Sequence, residues 1–413
     1  INNRNADQSN FLASITQHNF EKDIEGLPAT PAKPLEAKTY ALPDTLKGIV
    51  YDKGYFWFRN RHTMTKRTLE ADVKAIKAIG ANTIERSMPG FYDEVLDGLF
   101  RKYGIKQIGR FVTLIGTAEL DDDKKMQEEK EKILATVKSN LGRQNIIAWN
   151  LGADVLFNLE NQTYKPGIYY YRNKYVNWLS DVCNAIRTMD KVRPIITDLN
   201  WDVNGKKRFQ FYQQHVPQID KYMLVASSKN KPGLKEPLNG KMAWGKVPVE
   251  LWDSLPAAGR SAFVPAWQDI ENTDYITLNG IIDLNGRNKQ WHRKVEDTWS
   301  GKKVAASPVP DIKILKPSKT TRESIQLTYN IMFREDTTQW KLYRGDQIKD
   351  LKFEWYLVRV DQYANTMFIK KVGEGSTLSL PIPQGPQYYE LFVEAVIGKD
   401  VKTARSTLNT PLE

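Results

Sequence analysis

Apolar positions along the first three hundred residues follow two periods that take turns. Between Arg67 and Ile79 they recur at helical spacing, with Leu69, Val73, Ile76 and Ile79 on one face. Gly80 follows where a helix end calls for a residue that accepts a left-handed turn. Tyr92–Tyr103, Asp121–Leu141 and Tyr169–Met189 read as further helices, the second with acids at its start, which suit the helix dipole. Short apolar runs predict strands at Lys47–Tyr51, Asn82–Glu85, Ile105–Leu114, Asn145–Leu151, Arg193–Asp198, Lys221–Ala226, Ala262–Ala266 and Asn279–Asp283. Strands that alternate with helices predict a parallel sheet with helical crossovers. About eight strands over roughly 250 residues predict an α/β fold, a (β/α)8 TIM barrel.

The pattern changes at both ends. Residues 1–43 are polar and then Pro- and Ala-rich (Leu27-Pro-Ala-Thr-Pro-Ala-Lys-Pro34), which predicts an N-terminal arm or linker ahead of a barrel over 44–305. Pro308, Pro310 and Pro317 then punctuate a second linker. Short alternating strands follow at 324–329, 353–359, 376–380 and 388–395, and predict a β-sandwich over 306–413. Trp355 on one strand and Tyr388 opening another resemble the core positions of a fibronectin type III-like domain.

Composition narrows the chemistry. The 413 residues carry a net charge of +11, but Lys and Arg are scattered among acids. Only Lys289–Lys303 is locally basic, and Glu296 and Asp297 interrupt it, so the distribution predicts a solvated basic surface and no nucleic-acid partner. The single cysteine, Cys183, lies in an amphipathic helix and reads as a buried structural thiol; one Cys allows no internal disulfide. His18, His62, His215 and His292 do not cluster, so no metal is expected, and no phosphate loop or nucleophile elbow appears, so no cofactor is expected either. No apolar run is long enough to span a membrane, and no signal peptide is present. The chain starts at Ile1 without a Met, as a trimmed chain would.

In a TIM barrel, function sits at the C-terminal ends of the strands. The stretch from Thr68 to Arg86 and on to Tyr92 resembles the family-2 glycoside hydrolases, the β-galactosidase, β-glucuronidase and β-mannosidase group. There a helix leads into "G-x-N-x-x-R" and a short "S-x-x-P" loop, and Gly80, Asn82, Arg86, Ser87 and Pro89 stand in those places. The resemblance is specific in the first half of the barrel and weaker in the second. It implies a retaining glycosidase acting on β-linked glycans outside the cytoplasm. In that family the fourth strand ends "W-S-L-G-N-E", with Glu the acid/base and Asn a sugar ligand. This chain reads Trp149-Asn-Leu-Gly-Ala-Asp154: Ala153 replaces the Asn, and Asp154, one methylene shorter, replaces the Glu. Asp154 is therefore either a handicapped acid, since about 1 Å of misplacement costs roughly a hundredfold in rate, or a polar residue of the rim.

The nucleophile is expected at the end of the seventh strand, Ala262–Ala266, where Trp267 and Gln268 stand instead of a Glu. Asp269 and Glu271, a little later, are the catalytic alternatives or plain loop residues. Arg86, Trp57, Asp198, Trp201 and Trp267 are candidate substrate contacts. Sugar rings stack on aromatic faces, although Trp also fills cores. The expected function is interaction with a polysaccharide or oligosaccharide, with hydrolysis weak or lost. The alternatives are an active retaining glycosidase using Asp154, and a structural module of a larger extracytoplasmic assembly.

Overall fold

The computed structural model describes residues 42, 45–53, 55, 64–113, 115–226, 242–254, 262–271, 276–316, 326–335, 339–345, 347–360, 366–381 and 388–408. Apart from Leu42, the arm expected over 1–43 lies outside them. In chain order the first elements are β1 (Lys47–Val50), α1 (Lys66–Ala78), β2 (Thr83–Met88), α2 (Asp93–Tyr103), β3 (Lys106–Phe111), α3 (Thr117–Leu120), α4 (Asp123–Ser139) and β4 (Ile146–Asn150). Then come α5 (Val155–Gln162), α6 (Gly167–Met189), β5 (Ile195–Asn200), α7 (Gly205–His215), β6 (Lys221–Val225), β7 (Met242–Trp244) and β8 (Ala262–Val264). The remainder is β9 (Ile270–Glu271), β10 (Ile276–Thr277), β11 (Asn288–Lys289), α8 (Gln290–Ser300), β12 (Asp311–Leu315), β13 (Gln326–Arg334), β14 (Lys341–Leu342), β15 (Lys352–Val360), β16 (Thr366–Glu374), β17 (Thr377–Pro381), β18 (Tyr388–Ile397) and β19 (Asp400–Thr407). The described residues fall into two compact units, one drawn from those up to 46 and within 83–89 and 104–263, the other from those within 47–82, 90–103 and 264–408.

In the first unit β2 to β7 lie side by side in chain order, each parallel to the next. Side chains alternate across a strand, and one face carries a core layer of Ile108, Ala148, Ile196, Met223 and Phe263, joined by Leu46. The opposite face takes Trp149, whose indole nitrogen donates to Asp190 at 2.9 Å. Past β7, a single parallel bridge links Lys246 to Phe263. The strands form an open half-barrel; a full barrel is not closed among the described residues.

The second unit contains α1, α2 and two antiparallel sheets. Thr65 caps α1, exchanging hydrogen bonds with Thr68, and Leu69, Val73 and Ile76 are its buried face. Gly80 then takes φ +91°, and a Cβ there would stand 2.8 Å from the Trp299 carbonyl. β15, β16, β18 and β19 belong to one sheet, and β12, β13, β14 and β17 to the other. Ile331, Phe353, Trp355, Leu391 and Val393 pack in one core drawn from both sheets. The strands expected near 324–329, 353–359, 376–380 and 388–395 are β13, β15, β17 and β18. Short strands from before position 305 extend the larger sheet: β10 pairs with β16, β9 with β10, and β11 with β19.

One expected strand is absent. Asn279–Asp283 is a turn region with isolated bridges at Ile282. Its apolar residues are buried by local folding: a Cβ on Gly280 would meet Asp269 N at 2.3 Å, so the chain doubles back tightly there. The Asp283 carboxylate accepts from the amides of Asn285 and Arg287 and closes the next turn.

Candidate functional site

The inner face of the half-barrel changes character toward the strand C-termini. Two residues beyond Ile108, Ala148 and Ile196, on the same face, stand Arg110, Asn150 and Asp198. Glu85 joins them from β2, where it is in register with Ile108. Lys246 enters from the segment after β7. Gly245 lets that segment lie against β6, since a Cβ would stand 2.5 Å from the Leu224 carbonyl oxygen.

These side chains bond one another. Asn150 Nδ2 donates to Glu85 Oε1 and to Asp198 Oδ1, both at 2.9 Å, and Asn150 Oδ1 accepts from Gly152 N at 3.0 Å. The Lys246 ammonium reaches Glu85 at 3.0 Å and pairs with Asp198 Oδ2. Arg110 Nε lies 3.9 Å from Glu85, and its Nη2 donates to Ser87 Oγ at 2.7 Å. Glu85 and Asn150 are fully buried. Glu85 Oε2 has no hydrogen-bond partner among the described residues. Burial pushes the Glu85 carboxyl above the usual carboxylate range; Lys246 pulls it down and Asp198 adds to the rise. The two carboxylates thus share one amide nitrogen and one ammonium. The space between them holds the Asn150 amide and the Lys246 ammonium.

Asp154 lies elsewhere. It caps α5, accepting from Phe157 N at 3.3 Å, and is fully buried. Its other contacts are Asn200 N at 2.9 Å, Arg208 Nε at 3.1 Å and Tyr212 Oη at 3.1 Å. Burial raises its carboxyl to about 6 against the pull of Arg208. Arg208 also binds Glu160 at 2.6 Å, Asp202 at 2.5 Å and the Asn200 carbonyl at 2.6 Å. It is a buried hub tying α5, β5 and α7 together. Ala153, beside Asp154, is exposed.

The other candidates separate. Asp198 belongs to the inner cluster. Trp201, just past β5, is partly exposed, and its backbone is held to Val225 O at 3.0 Å. Arg86 is buried, and strand alternation puts it on the face opposite Glu85. In the second unit, Asp269 is buried with both oxygens on the Lys289 ammonium, at 2.9 and 3.1 Å, and a third bond from Gly280 N. Burial brings its carboxyl to about 6. Trp267 is buried, 6.1 Å from the His292 ring. Glu271 contributes its backbone to β9, its side chain lying outside the described residues, as does all of Trp57. Among the described residues no group of three or more His, Cys, Asp and Glu side chains has metal-binding geometry. No helix among them is long and apolar enough to cross a membrane.

Glu85, Asn150, Arg110, Lys246 and Arg208 are the residues that sequence reasoning missed. Glu85 left a signal, because it and not Arg86 is the third residue after Asn82. Asn150 and Asp198 could have been paired as polar ends of apolar strands. Lys246 follows an irregular stretch, and no periodicity marks it.

Neither protein-family models nor curated proteins match the chain by sequence. Among solved structures it is similar to a β-glucuronidase of Bacteroides uniformis, at 12% identity and a TM-score of 0.43, over 88% of this chain and 46% of that one. It is similar to a family-2 β-galacturonidase of Eisenbergiella tayi at 14% identity and 0.42, over 62% and 51%. A β-galactosidase of the psychrophilic Marinomonas ef1 gives 9% and 0.44, over 61% and 58%. The chain spans about half the length of these proteins.

Proposed function

We propose that this chain is a divergent glycoside-hydrolase-like TIM barrel, related to family 2, with a fibronectin type III-like sandwich at 306–413. It interacts with a β-linked polysaccharide or oligosaccharide outside the cytoplasm, and its hydrolytic activity is weak or lost. The family reading rests on the resemblance over Gly80–Pro89, in which Gly80 and Asn82 keep the motif's spacing and Arg86 stands one residue late, and on Trp149-Asn-Leu-Gly in the fourth strand. Loss of hydrolysis rests on one observation: both oxygens of Asp154, which stands where the acid/base belongs, are engaged by four donors inside the protein. A general acid must reach the glycosidic oxygen directly or through one water, and an N-cap carboxylate bonded to Arg208 and Tyr212 does not face one. Trp201 and the exposed strand end at Ala153 supply a rim on which a sugar ring can rest.

The test is turnover of aryl β-glucuronide, β-galactoside, β-galacturonide and β-mannoside by the full chain, with a glycan array read in parallel. Turnover at the uncatalysed rate together with binding of at least one glycan class is expected. Turnover that disappears in Asp154→Asn while the fold persists supports the active-glycosidase alternative, with Asp269 or Glu271 as its nucleophile. No turnover and no glycan binding leaves the structural-module alternative.

A further inference from the structure

The space between Glu85 and Asp198 has an occupant supplied by the chain itself. In a retaining site, the gap between two carboxylates receives the electron-poor anomeric carbon, whose positive charge grows in the transition state. Here that gap contains the Lys246 ammonium, 3.0 Å from Glu85 and paired with Asp198. We propose that Lys246 is a built-in plug that closes the inner cluster to any ligand and confines a saccharide to the outer strand ends.

Three features carry this assignment. First, the backbone around Lys246 is held on both sides: Lys246 O accepts from Ala226 N at 3.1 Å, Gly245 O from Phe263 N at 2.8 Å, and Phe263 O from Val247 N at 3.1 Å. With Gly245 in close contact with Leu224, the Lys246 backbone is fixed beside the cluster, and the ammonium is held there by its two carboxylates. Second, the electrostatics are self-complementary. Two buried carboxylates without a cation are costly; the ammonium bridges both and offsets one charge, with the Arg110 guanidinium 3.9 Å from Glu85. Third, Glu85 Oε2 is buried and has no hydrogen-bond partner among the described residues. Removing the lysine side chain therefore leaves a small acidic cavity suited to a primary alkylammonium ion. The clause about saccharides rests on the function proposed above; the plug itself does not, and it is tested without any glycan.

The experiment uses the full chain. Under brief acetylation with an N-hydroxysuccinimide ester, wild-type Lys246 is expected to react at least about tenfold more slowly than the exposed Lys124, because modification requires local opening. Reaction at the rate of Lys124 overturns the proposal. In Lys246→Ala, ethylammonium chloride is expected to raise the melting temperature with concentration, beyond any effect of sodium chloride at equal ionic strength, whereas wild type shows no difference between the two salts. Adding Glu85→Gln to Lys246→Ala should weaken that response. A folded Lys246→Ala that does not distinguish the two salts overturns the proposal, as does binding of 1-deoxynojirimycin to wild type that Glu85→Gln abolishes. If Lys246→Ala does not fold, the acetylation rate of wild type decides. Failure of the glycan array leaves all of these outcomes intact, so the two readings fail separately.

Discussion

Arg287→Met tests whether the sandwich depends on residues that precede it in the chain. One guanidinium reaches Asp283 at 2.6 Å, Glu354 at 2.7 Å, and Glu394. Glu354 and Glu394 are directly opposite each other on β15 and β18, an unfavourable pairing for like charges. Lys371 also serves Glu354, at 2.8 Å, so that carboxylate keeps a cation in the variant. Glu394 and Asp283 are buried, and Arg287 is the cation paired with them. Removing one partner of a buried pair costs roughly 3–5 kcal/mol. Burial already raises the Glu394 carboxyl from an ordinary 4.5 to about 7 with Arg287 present. Between those values the folded chain binds a proton that the unfolded chain has released, so this group removes stability as pH rises toward 7. Without Arg287 the folded value climbs further and the loss continues above pH 7. The deficit of Arg287→Met should therefore be larger at pH 8 than at pH 5.5, where Glu394 is protonated. Urea unfolding of the full chain, read by tryptophan fluorescence with Trp355 in the sandwich core, measures both. A deficit below about 1 kcal/mol at pH 8, or one equal at the two pH values, refutes the reasoning.

Other outcomes follow from the same contacts. A fragment of residues 306–413 lacks Arg287 and the strands β9, β10 and β11 that extend the larger sheet; it should show no cooperative thermal transition by circular dichroism, in contrast to the full chain. Gly80→Ala imposes a side chain at φ +91° and a contact of 2.8 Å with the Trp299 carbonyl. The backbone conformation alone should cost roughly 1–3 kcal/mol in urea unfolding, and a change within 0.5 kcal/mol of zero would contradict the close approach. Cys183 is fully buried, and burial pushes its thiol far above the ordinary range. Ellman's reagent should leave it unmodified in buffer and titrate one thiol in urea; rapid reaction of the native chain would place it at the surface.

What the sequence determined by itself was local. The helical spacing of Leu69, Val73 and Ile76 placed α1, and the apolar run at Asn145–Leu151 placed β4, because these patterns depend on neighbours a few residues apart. The alternation of Phe353, Trp355 and Tyr388–Ala395 placed the sandwich strands for the same reason. It failed where burial came from elsewhere. Asn279–Asp283 is as apolar as a strand, but the tight approach of Gly280 to Asp269 and the turn organised by Asp283 decide its shape. The site shows the limit most clearly. Asp154 had the sequence position of an acid, yet Arg208, 54 residues later, and Tyr212 took its oxygens. Glu85, Asn150, Asp198 and Lys246 come from four separate strands or loops and carry no shared motif. Only parallel stacking of the strands brings them onto one face, and only burial there, where an unpaired charge is costly, requires each to find the others.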